Sequence, residues 1–124
     1  MLYLLKKVLE AIFMENKVSL SDILEKTLAM VRKQGWGKDG IQDPLHVCMA
    51  MSVEMGELLE HFAWVERSDL EKVKNGENPK EATEIGEEFA DVVIYGLQLM
   101  NALGIDAEEA ILRKIDIVAN RNYK

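Results

Sequence analysis

Apolar residues along this chain recur mostly three and four positions apart, the spacing of one face of a helix. Leu2, Leu5, Leu9 and Ile12 open the pattern and predict an amphipathic helix. A secretion signal fits less well, because Lys6 and Lys7 interrupt the apolar run and no small-residue cleavage site follows. Ser19 and Asp22 then have capping-box spacing ahead of Ile23, Leu24, Thr27, Leu28 and Val31, and Gly35 stands where that helix should stop. Asp43-Pro44 supplies an N-cap and a first-turn proline to an apolar-rich segment running to about Glu66.

Ser68 and Glu71 suggest the start of a short polar helix that ends at Asn75-Gly76. Asn78-Pro79-x-Glu81 launches a long helix to Leu103 with Gly104 behind it, and Asp106-x-x-Glu109 begins a last one that runs almost to the C-terminus. Alternating strand patterns between hairpin turns are absent. The expected fold is all-α: a helical bundle with a four-helix core, completed by oligomerisation. The whole of 1–124 reads as a single domain, with residues 1–17 as an N-terminal helical extension.

Composition narrows the class. A chain of 124 residues, 48% hydrophobic and 30% charged, is long enough to bury a core and is neither disordered nor membrane-spanning. No run approaches the ~20 apolar residues of a membrane span. The single cysteine, Cys48, has no partner for an internal disulfide, which predicts a cytoplasmic protein. A net charge of −7 disfavours a nucleic-acid polymer as partner, since that needs a basic surface. A small phosphate-bearing molecule stays open, provided that a metal or a few basic side chains supply the cations.

Four of the acidic residues stand out by spacing. Glu54-x-x-Glu57 lies on the third predicted helix and Glu88-x-x-Asp91 on the fifth. Residues three apart share a helical face, so two such pairs on facing helices offer four carboxylates to one hard cation, Mg²⁺ or Mn²⁺. On the third helix Cys48, Met55, Leu59 and Phe62 form an apolar stripe. Glu54 lies opposite, yet among Val47, Ala50, Met51, Leu58 and Val65. A helix apolar nearly all round is buried on several sides, and a glutamate there needs a partner. On the fifth helix the core stripe is Ile85, Phe89, Val92, Gly96, Leu99 and Leu103. Glu84, Glu88, Asp91 and Tyr95 adjoin it, which selects Glu88 over Glu87. A ferritin-like di-iron site would need Glu-x-x-His pairs, and His61 falls four residues after Glu57.

The segments MSVEMGELLEHFAW at 51–64 and EEFADVVIY at 87–95 resemble the MazG-like all-α nucleoside triphosphate pyrophosphohydrolases. In look they are nearest to the branch of dCTP pyrophosphatases, and the likeness runs from about Trp36 to about Asp116. It implies that Glu54, Glu57, Glu88 and Asp91 hold Mg²⁺. It also implies that Trp64 and Tyr95 lie near base or sugar, that Lys114 lies near the phosphates, and that Trp36, in the loop QGWGKDGIQDP, is a second base-contacting aromatic. His61 departs from the pattern, standing where an apolar residue is usual. Val118 stands where the branch carries an asparagine four residues beyond the lysine; either Asn120, two residues later, substitutes for it or the nucleotide preference differs. The connector between Glu57 and Glu88 is slightly long.

These readings converge on Mg²⁺-dependent hydrolysis of an NTP or dNTP to the monophosphate and pyrophosphate, a nucleotide house-cleaning reaction. Glu54 and Glu57 are the catalytic candidates, a carboxylate not fully engaged by metal taking the proton of the attacking water. Lys114, among Ile111, Ile115 and Val118, is either a phosphate-binding cation or a side chain snorkelling over apolar surface. His61 reads as a packed histidine, and Cys48 and the methionines as core filling. Two long helices with apolar surface on several sides predict a homodimer or a dimer of dimers. The alternatives are a phosphoribosyl-ATP pyrophosphohydrolase-like enzyme and a non-catalytic helical interaction module with structural ion pairs.

Overall fold

The computed structural model describes residues 1–15, 17–38 and 42–122. Among these lie six helices: α1 (Leu2–Glu15), α2 (Leu20–Gln34), α3 (Pro44–Ala63), α4 (Arg67–Lys74), α5 (Pro79–Ala102) and α6 (Ala107–Ala119). The all-α fold is as the periodicity predicts. No helix among the described residues is long and apolar enough to cross a membrane.

Local chemistry sets the helix ends. The Ser19 hydroxyl accepts from the Asp22 N–H at 3.1 Å while the Asp22 carboxylate accepts from the Ser19 N–H at 2.8 Å, a closed capping box. Asp43, Asn78 and Asp106 cap α3, α5 and α6 by accepting from Leu45, Glu81 and Glu109 N–H groups. At the end of α2, Gly35 takes φ 72°, which its missing Cβ permits, and the chain closes a Schellman motif: Trp36 N–H to Val31 O and Gly35 N–H to Arg32 O, both 3.1 Å. Paired bonds of the same kind end α4 at Gly76 and α5 at Gly104.

One boundary differs from the sequence expectation. The cap of α4 is Glu66, not Ser68, and its N–H donates to the Asp69 carboxylate at 3.0 Å. The extended backbone this requires at Glu66 (φ −89°, ψ 157°) forces α3 to stop at Ala63 instead of continuing to Glu66.

α5 is the hub, packing chiefly on α3 and touching α2, α4 and α6. The helices α3 and α5 run antiparallel. Met51 lies against Gly96 near one end of their seam and His61 against Glu81 near the other. Among the described residues the buried apolar side chains are Val31, Val47, Leu97 and Ala107, of which Val31 is completely enclosed. Buried Thr27 satisfies its hydroxyl on Ile23 O at 2.8 Å. Ser21 of α2 donates to Glu108 of α6 at 2.9 Å, clipping the starts of these two helices together. Between α5 and α6 an apolar groove of about 300 Å³ stays open, lined by Val92, Leu99 and Ile111 among others.

The face of α3 that meets α5 is the one carrying Val47, Met51, Glu54 and His61. The stripe of Cys48, Met55, Leu59 and Phe62 points outward. Phe89, expected in the core stripe of α5, is 59% exposed. Leu2, Leu5 and Leu9 of α1 and Ile111, Leu112 and Ile115 of α6 are exposed as well. A folded monomer of 14.1 kDa should present about 6,700 Å² to solvent. This chain presents 10104 Å².

Candidate metal centre

The seam between α3 and α5 carries the carboxylates. On α3, Glu54 and Glu57 are three apart, and on α5 so are Glu88 and Asp91, so each helix contributes a pair to one face. One oxygen from each of Glu54, Glu57 and Glu88 comes within 4.8 Å of the others. Asp91 is near enough for its charge to act on both Glu54 and Glu88. Glu54, Glu88 and Asp91 are half-buried, and Glu57 opens to solvent.

Two oxygens in this group are orphaned. Glu54 Oε2 and Glu88 Oε2 are shielded from solvent and have no hydrogen-bond partner. Burial raises the Glu54 pKa, with the charges of Glu57 and Asp91 adding to it. Burial also raises that of Glu88, followed by the Glu57 charge. Shielded acceptors facing like charge are costly to leave unpaired. An oxygen-only donor set of this kind fits a hard divalent cation, which would supply the missing positive charge and take up the idle lone pairs.

The other residues named from the sequence are not tied to this cluster. Trp36 follows α2, anchored by its N–H to Val31 O, with its side chain partly exposed. Asp39, Gly40 and Ile41 of the same loop lie outside the described residues. Trp64 caps the end of α3 with 94% of its surface exposed. Tyr95 is half-buried on α5, one turn beyond Asp91. Lys114 is exposed on α6, and Asn120 at its end spends its amide on Asp116 O at 2.8 Å. No hydrogen bond or ion pair among the described residues joins Trp36, Trp64, Lys114 or Asn120 to the carboxylates.

A contact that the sequence did not announce lies further along the seam. His61 Nδ1 and Glu81 Oε1 are 2.7 Å apart, and Glu84 stands beside them. The hydrogen bond to Glu81 raises the His61 pKa, against burial. The available signal was the spacing of Glu81, Glu84 and Glu88 along one face of α5.

An all-helical chain with facing carboxylate pairs defines a small group of proteins, and comparison says which. The MazG-like family profile matches residues 49–123, and the chain belongs to that family. Human dCTP pyrophosphatase 1 is 31% identical over 103 residues, 83% of this chain and 58% of its own length. The mouse protein of the same name is 31% identical over 98 residues, 79% of this chain and 55% of its own. The chain thus spans little more than half the length of these curated relatives. A crystal structure of a pyrophosphatase from Archaeoglobus fulgidus superposes with a TM-score of 0.66 at 29% identity, covering 87% of this chain and 100% of the other.

Proposed function

We propose that this protein is a divalent-metal-dependent nucleotide pyrophosphohydrolase that cleaves an NTP or dNTP to the monophosphate and pyrophosphate. The observation that carries the reading is the pair of shielded, unpartnered oxygens, Glu54 Oε2 and Glu88 Oε2, in a carboxylate cluster drawn from two helices. Membership of the MazG-like family and the names of the relatives support the reaction class. Glu54, Glu57, Glu88 and Asp91 hold the ion, with Mg²⁺ the first choice and Mn²⁺ the second for an all-oxygen set. When bound, that ion neutralises triphosphate charge and makes an attacking water more acidic.

The chain's own residues then do the rest. Glu57 is the most open of the four carboxylates and is placed to accept a proton from water arriving from solvent. Tyr95 flanks the cluster as an aromatic wall for the nucleoside. Trp64 and Trp36 serve as further aromatic contacts, and Lys114 and Asn120 as phosphate and base contacts, once α6 is drawn over the seam. The surplus of about 3,400 Å² per chain over a folded monomer exceeds the roughly 1,000–2,500 Å² that each partner buries in an obligate interface, which supports a homodimer or a dimer of dimers. Residues 1–17 form an extension to the domain.

The deciding experiment is a panel of canonical and damaged NTPs and dNTPs, with phosphoribosyl-ATP included, incubated with Mg²⁺ and followed by pyrophosphate release. Turnover of at least one nucleoside triphosphate, abolished by EDTA, is expected. A pure protein that binds Mg²⁺ and hydrolyses none of them overturns the reading.

A further inference from the structure

We propose that His61, Glu81 and Glu84 form a second cation site, selective for a borderline transition ion such as Zn²⁺. It lies about 8–10 Å along the α3–α5 seam from the carboxylate quartet, by the rise of the intervening residues.

The antiparallel seam repeats itself. From Glu54, seven residues forward on α3 lead to His61, and from Glu88, seven back on α5 lead to Glu81. Seven residues are close to two helical turns, so both steps return to the seam face. Glu81 and Glu84 are three apart, as Glu88 and Asp91 are. The second cluster is therefore built on the same backbone frame as the first, with an imidazole replacing a carboxylate. One ligand atom from each of His61, Glu81 and Glu84 falls within 4.8 Å of the others, and His61 and Glu81 are sheltered, at 17% and 28% side-chain exposure.

Charge is unbalanced there. The His61 ring lies against Glu81 and Glu84, and the charge of Glu88 also acts on it. The Lys80 ammonium reaches Glu84 only at 3.7 Å, from a side chain 86% exposed. Even a protonated imidazole leaves the cluster negative, and a divalent ion offsets more of that charge. An ion about 2.1 Å from both nitrogen and oxygen needs them about 3.0–3.4 Å apart. The present 2.7 Å must then open by a few tenths of an ångström as the ion takes the place of the shared proton. The nitrogen ligand makes the choice of ion differ from that of the quartet: imidazole suits Zn²⁺ and Co²⁺, whereas carboxylates alone suit Mg²⁺.

The test is Zn²⁺ titration by calorimetry on the full chain, with Co²⁺ absorption in the visible as a second probe, for the wild type, His61→Gln and the double variant Glu54→Gln/Glu88→Gln. The wild type should bind one Zn²⁺ that His61→Gln loses or binds at least tenfold more weakly, while its Mg²⁺-induced rise in melting temperature persists. The quartet variant should keep that Zn²⁺ and lose the Mg²⁺ response, so this site and the proposed catalytic centre fail separately. Imidazole NMR of the wild type covers the case in which His61→Gln does not fold: stoichiometric Zn²⁺ must perturb the His61 ring. Unchanged Zn²⁺ binding in His61→Gln, or a His61 ring indifferent to Zn²⁺, would show that the contact is an ion pair only.

Discussion

Glu54→Gln makes the sharpest demand on the proposed metal centre, because it should move stability in opposite directions with and without metal. The change keeps the shape of the side chain and removes one charge from a shielded position whose Oε2 has no partner. Two like charges at the 4.8 Å limit of this cluster repel by about 1 kcal/mol in water and about 3.5 kcal/mol at an effective dielectric of about 20. Glu54 is half-buried and Glu57 is solvated, so a net gain of about 1–2 kcal/mol is expected for the metal-free variant. For a chain of this size that raises the melting temperature by about 3–10 °C. Added Mg²⁺ should stabilise the wild type by about 2.7 kcal/mol at a hundredfold excess over its Kd, and the variant by far less. Calorimetry in EDTA and in millimolar MgCl₂, at one fixed chain concentration, reads both numbers. A variant that melts lower than wild type in EDTA, or that gains as much from Mg²⁺, would refute the reasoning.

Other expectations follow from the same features. Light scattering at micromolar concentration should give a mass at least twice 14.1 kDa, and Leu59→Glu, on the outward face of α3, should push it toward one chain. A wild-type monomer sinks the proposed assembly. Without metal, the raised pKa values of Glu54 and Glu88 favour the protonated folded state, so their stabilising contribution is present below the ordinary carboxylate pKa and is lost as pH rises through the elevated values. The melting temperature of metal-free protein should therefore fall over that interval, and saturating Mg²⁺ should remove the fall. Asp22 has the opposite sign: bonds from Ser19 lower its pKa, so its contribution is present at neutral pH and disappears as pH falls through the depressed value. Ser19→Ala should cost about 1 kcal/mol at neutral pH by thermal melting and weaken that acid dependence.

How much of this was legible beforehand depended on the range of the interactions. The caps at Ser19, Asp43, Asn78 and Asp106 and the glycine stops at 35, 76 and 104 involve neighbours in sequence, and each lies where the pattern put it. The start of α4 went astray because Ser68-x-x-Glu71 and Glu66-x-x-Asp69 are both plausible caps, and only the path out of α3 chooses between them. For α3, periodicity could say that apolar residues occupy nearly every side, not which side meets α5. The glutamate-bearing side does, and the purely apolar stripe faces outward. The clustering of the carboxylates was legible because two i, i+3 pairs on long helices limit the geometries. The contact between His61 and Glu81, twenty positions apart, was not: locally the one is a packed imidazole and the other a first-turn acid.

The close approach of Gly96 to Met51 has a consequence for ion selectivity. A Cβ at position 96 would stand 3.3 Å from the Met51 methyl, so the absent side chain lets α5 settle onto α3 just beyond the carboxylates. In the proposed metal centre the glycine would work as a calliper, setting the gap across which Glu54 and Asp91 would reach an ion. Alanine there displaces only the flexible end of a methionine, while valine would wedge the helices apart. Mg²⁺ tolerates little departure from about 2.1 Å, whereas Ca²⁺ accepts about 2.3–2.6 Å. A wider gap should therefore shift preference from the smaller ion to the larger, through an uncharged position that never touches either.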